Sequence, residues 1–233
     1  MIVNKHTISY LTLSVIGALM ILVVSWFGST SSQEIQTIDR IVVGLAFILS
    51  CIFGISFAIR PGWGRKIIGK SRHGANSPQE SERRARIGHH PDCIHFRSHI
   101  IKTKRKALCA GCTGLMVGAI LGVVLMSIFV TISIEIPTTV LYILILIGML
   151  LVVFNFLDIL KLRNLATVHA AFNSLLVVGF FFVVIGVFYL AGRFVYGLVS
   201  VLISLLWLDT RIHLSHQRHN EICRNCSSTC KAY

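Results

Sequence analysis

The sequence predicts an all-α fold, a polytopic membrane helix bundle of about six transmembrane helices with a Cys/His-rich cytosolic cap. Three observations predict it. Six apolar stretches approach the roughly 20 residues that cross a hydrocarbon core of about 30 Å. Lysine and arginine fall almost wholly between alternate stretches, and six of the seven cysteines gather in two places that this alternation puts on one side of the membrane. The 233 residues are 55% hydrophobic, with a mean hydropathy of +0.77 and a net charge of +13. In a soluble chain such a charge would point to nucleic acid; long uncharged segments make it a membrane-facing charge instead.

The apolar stretches run over 8–27, 41–59, 113–134, 138–157, about 167–187 and about 190–208. The first follows Lys5 and His6 as a signal peptide would, yet its apolar run exceeds a signal core and no small-x-small cleavage pattern follows. It reads as a retained anchor. Ala191, Gly192 and Arg193 divide the last two stretches. With the N-terminus inside, segments 1–7, 60–112, 158–166 and 209–233 hold 20 of the 22 Lys+Arg. Arg40 and Arg193 fall outside, together with Glu34, Asp39 and Glu135. This split predicts a multi-pass protein of the cell membrane with both termini cytosolic. Membrane lipids are its first partners, and no nucleic acid is needed to explain the charge.

Four regions follow: helices one and two over 1–59, a basic cytosolic loop over 60–112, helices three to six over 113–208, and a cytosolic tail over 209–233. The first half of the loop is rich in glycine, serine and charge, and Trp63 among its cations suits a lipid headgroup layer. The second half, GHHPDCIHFRSHIIKTKRKALCAGC, packs four of the ten histidines and three cysteines; the tail RIHLSHQRHNEICRNCSSTCKAY supplies three of each.

In a reducing compartment, clustered thiolates are more naturally metal ligands than disulfides. Cys109 and Cys112 form one CxxC and Cys223 and Cys226 another, the spacing that brings two sulfurs to one tetrahedral ion. The expected assembly is a structural zinc site stapling the tail to the start of the third helix, in a scaffold, accessory or regulatory subunit. Cys93, His219 and Cys230 are further candidate ligands, and iron or copper fits the same donors. The alternatives are a membrane metalloenzyme, a thiol redox protein using CAGC at a helix start, or a carrier of a metal or small solute. Cys51, alone in the second helix, reads as a small core or lipid-facing residue.

Gly114, Gly118 and Gly122 recur every four residues and offer one smooth helix face for close contact, including with a membrane-protein partner. Cys93 followed by CAGCTGLMVGAILG at 109–122 resembles an uncharacterised family of predicted bacterial and archaeal membrane proteins, a domain of unknown function. Its members carry a Cys-His element, then Cys-x-Arg-Cys-Thr-Gly and a glycine-spaced helix. The resemblance spans about 30 residues and departs at Gly111, where the family has arginine, and at PDCIHF. It implies a multi-span membrane protein with a cysteine-centred site at Cys93, Cys109, Cys112, Thr113, Gly114 and Gly118, extending to Asp158, and implies no reaction.

The fourth and fifth helices carry Asn155, Asp158, His169 and Asn173 near their cytosolic ends. Spacings of three and four put each pair on one helical face, and the short KLRN turn makes the helices antiparallel neighbours. All four are expected to meet, either as a packing network or as a proton or solute path, because polar groups in hydrocarbon need partners. Asp209 and Arg211 are given the same packing role. No HExxH, GxSxG or phosphate-cradling glycine loop is present, so the familiar protease, hydrolase and nucleotide-binding chemistries have no motif here.

Overall fold

A computed structural model describes residues 5–28, 35–59, 99–102, 107–132, 135–160 and 165–224. It contains six helices: α1 (Lys5–Gly28), α2 (Thr37–Ile59), α3 (Ala110–Thr131), α4 (Thr138–Leu160), α5 (Ala166–Ala191) and α6 (Phe194–Arg224). Each holds an apolar span of 22 to 26 residues, or about 33 to 39 Å at 1.5 Å per residue, enough to cross a bilayer core. The predicted polytopic bundle is therefore the fold. Two short antiparallel strands, β1 (Ile100–Lys102) and β2 (Ala107–Cys109), pair with Ile100 opposite Cys109 and lead directly into α3.

Helix α5 is the centre, packed against α1, α3, α4 and α6. Its inward residues, among them Leu176, Val183, Val184 and Phe188, are sealed from solvent and lipid alike. The chain leaves it at Gly192, whose φ of 64° lies in the left-handed region and whose N–H donates to Phe188 O. An L side chain is strained in that conformation, so glycine sets the turn that sends α6 back along α5.

Helix α1 buries Thr7, Ser14 and Ile21, spaced by seven, and exposes Leu13, Leu19, Trp26 and Phe27 on its outer side. Ser14 Oγ lies 2.8 Å from Thr210 Oγ1, and Trp207 Nε1 donates to Ser14 O at 3.1 Å. These bonds tie a lipid-facing helix to α6 where apolar attraction cannot, since lipid tails compete for apolar contact. The exposed leucines, isoleucines and phenylalanines of α1 to α4 are the surface expected of a bundle bathed in lipid.

Two boundaries and the glycine face differ from the sequence reading. Helix α3 starts at Ala110 because extended Cys109 (φ −68°, ψ 121°) ends β2 and caps the helix. Helix α6 continues past 208 to Arg224. Its later turns contain no glycine or proline and keep Trp207, Arg211 and Leu214 inward. The Gly114/Gly118/Gly122 face is filled within the chain: Gly114 meets Ala170, a Cβ on Gly118 would lie 2.6 Å from Ser174 O, and Gly122 faces Phe47, Cys51 and Val177. Among the described residues that face packs within the chain, and no partner-protein interface is shown at it. Cys51 is a buried core residue beside it.

Candidate functional site: the buried polar junction at the hairpin end

At the end of the bundle where the hairpin enters α3, α4 ends, α5 begins and α6 passes outward. The last turns of α4 bring Asn155 and Asp158 against the first turns of α5, which carry His169 and Asn173. His169 Nδ1 and Asp158 Oδ2 are 2.8 Å apart, with the two side chains 13% and 3% exposed. An ionised carboxylate only accepts, and with Asp158 in that form the ring would donate from Nδ1 with Nε2 turned the other way. Asn155 Nδ2 donates to Phe172 O at 3.0 Å and to Asn173 Oδ1 at 3.3 Å; Asn173 Nδ2 donates to His169 O at 2.7 Å. The four residues expected to meet do meet, as one hydrogen-bonded network.

Helix α3 closes on this network through glycine. Ser174 Oγ donates to Gly114 O at 2.8 Å across the seam. Further toward the helix start, the missing side chain of Gly111 lets α5 and α6 close on α3. A Cβ there would lie 3.2 Å from Arg211 Nη2, 3.7 Å from His169 Nε2 and 3.9 Å from Asn173 Nδ2. Arg211 is 5% exposed, and its Nε and Nη2 atoms are buried without a hydrogen-bond partner among the described residues. Asp158, Cys109 and Cys112 lie within its electrostatic reach. Arg211, given a packing role in the sequence reading, is thus the most buried cation among the described residues at this end. The signal lies in α6 itself: Ser200, Ser204, Trp207, Arg211 and Leu214, spaced by three and four, form one buried row.

Outward from the junction stand two more imidazoles. The His99 ring meets His169 edge-on, centroids 5.3 Å apart, and His219 meets His99 the same way at 5.3 Å. The rings touch in sequence, His169 to His99 to His219, from the buried network to the later turns of α6.

The cysteines are arranged otherwise than predicted. CAGC straddles the strand-to-helix junction, with Cys109 capping α3 and Cys112 in its first turn; neither forms a disulfide, and the two side chains are close enough to interact. CRNC begins inside α6, whose last turns include Cys223, instead of in a loop knuckle. Among the described residues no group of three or more His, Cys, Asp or Glu side chains converges tightly enough to hold an ion. The expected zinc staple through Cys109, Cys112, Cys223 and Cys226 is corrected on that ground, as is iron or copper at the same donors. The metalloenzyme, thiol-couple and metal-carrier alternatives built on that cluster fall with it, and His219 meets the His99 ring edge-on instead of joining a ligand group. Nor is a Cys/His-rich cap evident: the hairpin brings only His99 and Cys109. Cys93, Cys226, Cys230 and the Cys223 side chain lie outside the described residues.

Compared with protein-family models, curated proteins and solved structures, the chain matches none.

Proposed function

We propose that this chain is a proton-responsive integral membrane protein whose working site is the buried Asp158–His169 pair. The observation that carries the reading is the 2.8 Å contact between two titratable groups, one buried and one largely buried, inside a membrane bundle. Ionisable residues at such depth are costly and are retained chiefly where they act. Asp158 fixes the ring and its tautomer, leaving Nε2 as the proton acceptor. Histidine is the side chain that ordinarily changes charge in the physiological range, and His99 and His219 supply the next acceptors outward.

The groups facing His169 decide what a proton does there. Asp158 comes from α4, Asn173 from α5 and His99 from the hairpin, and Arg211 of α6 approaches the same point above Gly111 as His169 Nε2; His219 follows beyond His99, and Cys109 and Cys112 lie within reach of Arg211. With His169 neutral, Asp158 and Arg211 balance. A proton on Nε2 adds a positive charge beside a buried guanidinium, and like charges at low dielectric repel. The compliant part is the start of α3, held by the short hairpin and by glycine contacts. Protonation therefore loosens the hairpin and the first turn of α3 from α5.

Hydrogen exchange of the full chain in nanodiscs checks this. Going from about pH 8 to about pH 5.5, across histidine's usual range, exchange rises at 100–114 after correction for the intrinsic rate, and His169→Gln abolishes the rise. Equal pH dependence in parent and variant leaves the pair a packing device only.

We place the hairpin end in the cytosol, on the split of 20 basic residues to 2. A cysteine replacing Ser77 is then protected from an impermeant thiol reagent in intact cells, and labelling there inverts the orientation.

A further inference from the structure

His99 stands next to the buried pair, immediately before β1, and meets both His169 and His219 edge-on with ring centres 5.3 Å apart at each contact. His99 and His219 are each half-buried. Imidazole edges that close can pass a proton directly or through one water. His219 lies about 38 Å along α6 from Phe194, beyond a hydrocarbon core of about 30 Å. The outer end of the series therefore reaches the headgroup layer and its water.

The other charged and titratable groups of this end do not compete for the task. Asp158 of α4 holds the buried end at His169 Nδ1; Arg211 of α6 stays charged at any working pH, and the Cys109 and Cys112 thiols within its reach ordinarily titrate above the histidine range. Arg218 and Glu221, close to His219 on α6, hold one another at 3.0 Å. Only imidazoles then link the pair to water among the described residues.

Toward the opposite face the bundle is closed. Asn155 and Asn173 bond to backbone and to each other, and their amides do not titrate. Beyond them α5 buries Leu176, Val183 and Phe188, Phe180 stacks on Trp207 with ring centres 6.3 Å apart, and a Cβ on Gly148 would stand 2.6 Å from Gly179 O. Ser200 and Ser204 of α6 donate to Gly197 O and Ser200 O of their own helix at 2.6 and 2.8 Å. Hydroxyls turned back on their own backbone, amid close-packed rings and branched chains, do not pass a proton on.

We infer that His99 is the relay that carries protons between water and His169, and that the Asp158–His169 pair answers only to the compartment on the hairpin side. The step conserves the proton: His219 or water protonates one nitrogen of His99, the other nitrogen gives its proton to His169, and His99 ends neutral in its other tautomer. A turn of the ring resets it. The inference rests on the proton-responsive reading and adds its route and its sidedness: the protein senses the acidity of one compartment and conducts no proton to the other.

Nitrogen NMR of the histidine-labelled full chain in nanodiscs, in weak buffer, reads both the midpoint of His169 and the rate at which its ring exchanges between one proton and two. His99→Phe keeps a ring at the contact but has no nitrogen; His169 should still titrate, with exchange slowed about tenfold or more. His99→Ala should be as slow, and free imidazole, entering the space the ring leaves, should restore its rate. Exchange at the parent rate in His99→Phe, or a slowed His99→Ala that imidazole does not speed, overturns the relay. Should His99→Phe fail to fold, the imidazole response of His99→Ala decides alone. Sidedness is measured in vesicles loaded with a pH-sensitive dye and driven by a potassium diffusion potential with valinomycin: proton flux through the parent should equal that through His169→Gln, and a higher flux in the parent overturns the one-sided route. A parent ring that takes no second proton removes the pair reading itself, whereas a parent that titrates beside an unslowed His99→Phe removes the relay alone.

Discussion

Between Gly179 and Phe188, helix α5 packs dry: a Cβ on Gly148 would lie 2.6 Å from Gly179 O, Gly186 meets Ile145, and Val183, Val184 and Phe188 have no exposure. Between His169 and Ser174 the same helix meets α3 and α4 through hydrogen bonds at successive inward positions. Both halves press glycine backbones together. In the dry half the cost of a change depends on the volume left or forced in. In the polar half it depends on which atoms lose their partners, because an unmade bond in this setting costs more than the bond contributed. The same helix therefore carries a frame at one end and a chemically addressable site at the other.

The comparison breaks first where backbone meets backbone. Gly118→Val forces α3 away from Ser174 and is expected to cost about 3 kcal/mol or more of overpacking; Gly148→Val does the same in the dry half. Thermal unfolding in detergent should lower both alike, and tolerance of Gly118→Val would deny the close seam. Next comes Asp158→Ala, which strands His169 Nδ1 and should cost about 2 to 3 kcal/mol, the range for a hydrogen bond to a charged group. Its dry counterpart, Val183→Ala, should cost about 1 to 2 kcal/mol through the cavity it leaves. Ser174→Ala removes one bond across the seam and should cost about 1 kcal/mol. Leu146→Ala, at a position 59% exposed toward lipid, should stay within about 0.5 kcal/mol as surface positions do. A reversed order of Asp158→Ala and Leu146→Ala would dissolve the distinction.

Much of this was legible in the sequence for a physical reason. A run of about 20 apolar residues is a length measurement that needs no tertiary knowledge, so all six spans stood out. Asn155, Asp158, His169 and Asn173 were legible because spacings of three and four fix a face and a short turn fixes the neighbour. The end of α6 was hidden: beyond 208 hydropathy falls while helical pattern persists, and hydropathy alone stops there. CxxC misled because the spacing is compatible with a metal knuckle and with a strand ending in a helix cap. Only the β1–β2 pairing, with Ile100 opposite Cys109, selects the latter. Arg211 was hidden most deeply, since its burial depends on α3 and α5 arriving beside it, and its own helix offers only the row of small and aromatic residues that it continues.

The central claim is that Asp158 holds His169 in one tautomer, ready to take a proton on the opposite nitrogen. Nitrogen NMR of histidine-labelled full chain in nanodiscs, with His169 assigned by His169→Gln, reads that directly. The account predicts an Nδ1–H tautomer for His169 at high pH, a reversible conversion to the doubly protonated ring on acidification, and loss of the single-tautomer signature in Asp158→Asn. An Nε2–H tautomer in the parent, or a ring that never takes up the second proton, contradicts it.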